Sequence, residues 1–357
     1  MRVLLLLALA WPAFGGYSFH RSITLQGTKI PGNLSNFPVM VQGTYTWLKD
    51  SLHGGPVQST SGYDIIFTTD AAGTSPLACE RAHWDGSTGD VQFWINVPSL
   101  TAGANYTFYV QYGNAAIITN QCIAANVWTP SGRYKGVYHM FETTGPYADS
   151  TSNANNSTGG TYPSATTGLF GTAQSFSSGS TNYIQFTNPV TTLASTITFS
   201  CWVKTSSSGA TKGIASNSNS GIGLDFYMTS TGLAVAKFVG GGGTTTTSAA
   251  AINDNAWHYV AGNLLNTGFL DVWVDGTPHS QTLFSGGDNA PGNMYLGVLH
   301  GLASYFDGLI EEFRVSNVDP TVNWNLTEIH NQGDVTTFYT IGSPVSAGGV
   351  NVFPILF

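Results

Sequence analysis

Charge is what this chain has least of: only 8% of its 357 residues are Asp, Glu, Lys or Arg, and just five are glutamate, Glu80, Glu142, Glu311, Glu312 and Glu328. Helices rely on Glu, Lys and Arg for their wet faces, so the shortage excludes a helix-rich surface. Eleven Lys and Arg within a formal net charge of −8 leave no basic stripe to neutralise phosphates. Nucleic acid and anionic membrane surfaces are therefore poor partners, and neutral glycans or divalent cations fit better. Cysteine is scarce too, with Cys79, Cys122 and Cys201 showing no Cys-x-x-Cys spacing, which excludes a disulfide framework and a ribbon-type metal site. Cys79 and Cys122 could pair. Cys201, inside the apolar run Phe199-Ser-Cys-Trp-Val203, reads as a small buried hydrophobe.

Long apolar runs are missing as well. The best one, Val3 to Ala10, is too short to span a bilayer. With Arg2 ahead and Trp11-Pro-Ala-Phe-Gly15 behind, it has the form of a secretory signal. Residues 1–16 are therefore expected to be a signal peptide, leaving a secreted or cell-surface protein with no membrane span.

What the chain does have is 43 glycines, 42% hydrophobic residues and abundant Thr, Ser and Asn, a composition suited to short strands joined by tight turns. Its length predicts two domains. In the first, Ser22–Leu25, Phe37–Val41, Asp64–Thr68, Val91–Val97 and Tyr106–Tyr112 read as strands. The last of these alternates Tyr106, Phe108, Val110 and Tyr112 against Thr107, Tyr109 and Gln111, the pattern of a half-buried antiparallel strand. Pro-Ser-Gly at 130–132 breaks the pattern and sets the boundary. Strands then recur at sandwich spacing to Val315. Only Asn323–His330 carries a helical period, closed by Asn331-Gln-Gly333. The expected division is signal 1–16, N-terminal β domain 17–130, second domain 131–342 and tail 343–357, the tail read as a linker stub or a docking strand. The expected fold class is all-β, with two β-sandwich domains.

An ordered series of motifs carries a resemblance: Gly136-Val-Tyr-His-Met-Phe-Glu142, Asp149-Ser-Thr-Ser-Asn153, Thr198-Phe-Ser-Cys-Trp-Val-Lys204, Asp254-Asn-Ala-Trp-His-Tyr-Val-Ala261, Leu270-Asp-Val-Trp-Val-Asp-Gly276, and Tyr305 through Asn317. Together they make the second domain similar to laminin-G-like members of the concanavalin A-like lectin and glucanase superfamily, which implies a jelly roll. The first domain resembles a domain of unknown function often found ahead of laminin-G-like domains in exported bacterial proteins. It does so through Phe37-Pro-Val-Met-Val41, Gly62-Tyr-Asp-Ile-Ile-Phe67, Val97-Pro-Ser-Leu100 and Tyr109-Val-Gln-Tyr-Gly-Asn114.

The resemblance implies a Ca2+ ion at the sandwich rim, with Glu142, Asp149, Asp307 and Glu311 in the relevant motifs, although relatives usually have Asp where Glu311 stands. Without a metal, Asp149–Asn153 reads as an Asx turn and Glu311 as an ion pair with Arg314 or a neighbouring strand. Glucanases of the superfamily carry Glu-x-Asp-x-x-Glu, and no glutamate here is followed by Asp two positions on. Glu311-Glu312, as strand neighbours, are expected on opposite faces and so unable to flank one glycosidic bond. No catalytic residue is assigned. Trp202 and Trp257 read as core. Trp273 and Tyr305 are the candidate exposed aromatics for binding sugar. The expected function is non-catalytic binding of polysaccharide or glycoprotein glycans, or adhesion to other surface proteins. Alternatives are a structural spacer in a surface or phage-like assembly and a glycoside hydrolase with an unrecognised site.

Overall fold

The computed structural model describes residues 16–129, 131–187, 196–218, 222–240, 243–279, 281–284 and 293–346. Nearly all of the expected signal segment lies outside the described residues.

The alternation read at Tyr106–Tyr112 sends Phe108, Val110 and Tyr112 into the core. That strand pairs with Phe19–Leu25 on one side and Ile66–Thr68 on the other. A second sheet, ordered Leu34–Thr44, Asp90–Leu100, Cys79–Asp85, shares the core and meets the first at Phe67 and Phe93, whose rings are 5.2 Å apart. Cys79 and Cys122 are joined by a disulfide, with Cα atoms 4.5 Å apart. Two strands from the far end of the chain, Tyr339–Ile341 and Val345–Ser346, also pair with Phe19–Leu25.

Between these lies the larger sandwich. One sheet has nine strands among the described residues, centred on Gly308–Ser316, Ile197–Lys204, Trp257–Leu264 and Phe269–Val274. The facing sheet has seven and runs from Thr245–Ala251 at one edge, through Lys212–Ser216, Asn293–Leu296 and Tyr183–Thr187, to Ser157–Thr161 at the other. Strand alternation does the sorting. Val260, Leu264, Val272 and Val274 face the interior with Ile184, Phe186, Met294 and Leu296, and Cys201 is buried among them. The hairpin after Val274 turns at Asp275 (φ 50) and Gly276 (φ 78), the pair of positive angles a type I′ turn demands.

The outer face of the nine-stranded sheet is not free. Trp202, Tyr259, Ala261 and Trp273 continue the core of the first domain. The helix Val322–Gly333, capped by Thr321 Oγ1 accepting from the Trp324 amide, wedges into this seam. Trp324 packs on Phe37 at 4.9 Å. Asn331 brackets Met40, accepting from its amide at 2.7 Å and donating to its carbonyl at 2.9 Å. Trp202 donates its indole N–H to Gln332 at 2.7 Å. No helix among the described residues is long and apolar enough to cross a membrane.

Candidate functional site

The four carboxylates expected to share calcium are dispersed, each already supplied with protein donors. Glu142 accepts from the Ala148 amide at 2.7 Å. Asp149 closes an Asx turn, accepting from the amides of Thr151 and Asn155 at 2.9 Å each and from Val137 at 3.0 Å. Asp307 accepts from the Ser178 hydroxyl at 2.7 Å and pairs with the Lys212 ammonium. Glu311 accepts from the amides of Leu169 and Phe170 at 2.7 and 2.9 Å. Calcium needs six to eight oxygens with few competing donors. Among the described residues no three His, Cys, Asp or Glu side chains are placed to hold a metal. These residues do not fit one shared ion: at Asp307 a lysine ammonium supplies the positive charge, and at Glu311 each carboxylate oxygen already accepts from an amide.

Glu311 and Glu312 do not point to opposite faces. Ile310 and Phe313 both face the sandwich interior, so the two residues between them lie on the outer side. A bulge produces this: pairing with Ile197–Lys204 shifts register here, and Glu312 adopts φ 53. The glutamates nonetheless part. Burial, against the lowering effect of the two amides, drives Glu311 up to about 8, with Glu312 nearby adding to the rise. Glu312 instead meets His139 Nδ1 at 2.8 Å and the Arg314 guanidinium at 3.1 Å. Arg314 also pairs with Glu328, and His139 Nε2 lies 3.1 Å from Glu80 of the first domain. Trp94 stacks on the imidazole at 5.6 Å and lies under the Arg314 guanidinium at 4.6 Å. All five ionisable groups are at most 8% exposed, so this assembly fastens the domains and gives no substrate access.

Trp273 is not the exposed platform expected. It is 4% exposed and its indole N–H donates to Asp271 at 2.8 Å. Trp202 is buried as expected, while Trp257 is half-buried. Tyr305 is half-exposed and has company that the sequence reading missed. Its ring centroid lies 6.4 Å from Tyr183, which lies 6.2 Å from Tyr295. Tyr183 and Tyr295 alternate with the buried Ile184 and with Met294 and Leu296, so both project from the outer face of the seven-stranded sheet. Gln185 stands on the same face, opposite Tyr295 on one side and Gly159 on the other. A Cβ at Gly159 would meet nothing within 4 Å, so the position opposite Gln185 is open. The site is thus a three-tyrosine row with a polar fork and a shelf without side chains.

The geometry defines an all-β protein whose larger domain is a concanavalin-type sandwich. Residues 178–323 match the family model of the concanavalin A-like lectin/glucanases superfamily, and residues 61–129 match a domain of unknown function (DUF2341). No curated protein matches the chain. Similar solved structures include the binding domain of Paraclostridial mosquitocidal protein 1, 11% identical with a TM-score of 0.46, covering 56% of this chain and 52% of that one. The botulinum neurotoxin serotype G binding domain is 10% identical, with a TM-score of 0.45 and coverage of 55% and 51%. The Ruminococcus gnavus IT-sialidase CBM40 bound to α2,3-sialyllactose is 16% identical, with a TM-score of 0.33 and coverage of 38% and 82%. The match spans about half the length of the first two structures. At such scores the likeness brings no ligand chemistry to this chain.

Proposed function

We propose that the chain is a non-catalytic glycan-binding module, exported to the cell exterior, that lays a saccharide along Tyr295, Tyr183 and Tyr305. The row of half-exposed rings carries the reading: sugars present C–H faces that stack on aromatic rings, and hydroxyls that amide and phenol groups can bind. The absence of the Glu-x-Asp-x-x-Glu pattern and the burial of Glu311 and Glu312 support a binding role over a hydrolytic one. Export rests on the apolar run from Val3 to Ala10.

The test is a glycan array probed with the mature chain and with Tyr183→Ala, in calcium and then in chelator. Selective binding that Tyr183→Ala removes and chelator leaves intact is the expected result. No binding under either condition would overturn the reading in favour of a structural component of a surface assembly.

A further inference from the structure

A concavity lies on the outer side of the nine-stranded sheet, where Phe269–Val274 and the residues Pro278, His279 and Gln281 meet the chain entering the helix Val322–Gly333. It measures about 410 Å³ and is lined by Asp271, Trp273, Pro278, His279, Asp319 and Val322 among others. That is room for one small ligand such as a single pyranose ring.

Its polar groups are incomplete in a specific way. Asp271 is 3% exposed; Oδ2 takes the Trp273 indole N–H, while Oδ1 has no hydrogen-bond partner. His279 Nδ1 accepts from the Ala249 amide at 3.1 Å, so the neutral ring carries its proton on Nε2, which is also without a partner. Buried polar groups are rarely left so, because each unmade bond costs about 1–3 kcal/mol. A second carboxylate, Asp319, stands exposed at the mouth. Burial and then Asp319 raise Asp271 to about 6, against the lowering effect of Trp273, the Val272 amide and the nearby Gln281 side chain, which does not reach Oδ1 at hydrogen-bond geometry. The helix does not supply the missing donor, since none of its amides reaches Asp271 Oδ1.

We infer that this cavity takes one cationic amino-sugar residue, its ammonium donating to Asp271 Oδ1 under the field of Asp319 and a ring or hydroxyl oxygen accepting from His279 Nε2. An ammonium supplies both the donor and the charge that the two carboxylates lack, a neutral hydroxyl only the donor. Pro278 and Val322, both exposed, give the ring an apolar wall.

The inference rests on the glycan-binding reading, and calorimetry on the mature chain separates the two. The probes are a glucosamine hexamer, an N-acetylglucosamine hexamer and a tri-lysine peptide, against wild type, Asp271→Asn and the surface variant Asp319→Asn. Expected is at least tenfold tighter binding of the glucosamine hexamer than of the other two, with the preference falling about tenfold in either variant while circular dichroism is unchanged. Equal affinity for both hexamers, or a preference that survives both variants, overturns the cavity and leaves the tyrosine row standing. Tri-lysine binding as tightly as the glucosamine hexamer overturns the sugar assignment. Failure to bind the glucosamine hexamer while the array selects another glycan overturns the cavity alone; failure on the whole array overturns the glycan reading itself.

Discussion

Glu80 and Glu312, one from each domain, are held by the two nitrogens of a single imidazole, His139 Nε2 at 3.1 Å and Nδ1 at 2.8 Å. Burial alone would lower the His139 pKa, but Glu312 and Glu80 together raise it to about 10. A pKa raised in the folded state means stability that is complete below the unfolded value near 6.5 and lost as pH climbs towards 10. Thermal midpoints of wild type and His139→Gln should therefore differ most near pH 6 and converge by pH 10. A constant gap across that range would refute the assignment of charge to His139.

Arg314 lies 2% exposed, between Glu312 and Glu328 and over the Trp94 ring. Removing one partner of a buried pair strands the other, so Arg314→Met is expected to cost about 3–5 kcal/mol in chemical denaturation. The double change Arg314→Met with Glu328→Gln should recover part of that loss. A loss below about 1 kcal/mol in the single variant would show that solvent reaches the seam.

Gly159 opens the shelf beside Gln185, and a Cβ there meets nothing within 4 Å. Gly159→Phe should therefore fill the shelf without unfolding the sheet. Affinity for an array-selected glycan should drop about tenfold, near 1.4 kcal/mol, with the melting temperature held. Unchanged affinity would move the ligand off this face.

The Cys79–Cys122 disulfide spans 43 positions of chain, and loops of this order lose roughly 2–5 kcal/mol when opened. Cys79→Ser with Cys122→Ser should lower the midpoint of the first domain's unfolding. The buried Cys201, whose thiol burial holds well above its ordinary range, should stay unlabelled by maleimide until the protein unfolds. Labelling of the native protein would contradict its burial.

Alternation made much of this fold legible. Val272 and Val274 against Asp271 and Trp273, and Tyr106 to Tyr112, sort themselves with no tertiary information, and Asp275-Gly276 names its own turn. The bulge was hidden because Glu312 takes a left-handed conformation that favours glycine, forced by strand register and held by His139 and Arg314. Trp273 looked exposable because its alternation sends it outward from the sandwich. Only the docking of the first domain and the helix turns that face into interior. The tyrosine row needed the same kind of information: alternation faces Tyr183 and Tyr295 outward, but their adjacency depends on two strands far apart in sequence pairing Gln185 with Tyr295.

The strand that opens the described chain and the strands that close it run antiparallel side by side, with Phe19 opposite Ser346 and Ile23 opposite Ile341. The chain therefore enters and leaves at one point, and the sandwich hangs between as a closed loop held by a clasp. Tension applied to both ends would peel that clasp apart one residue pair at a time, like a zipper, and no load would reach the sandwich until the clasp had opened.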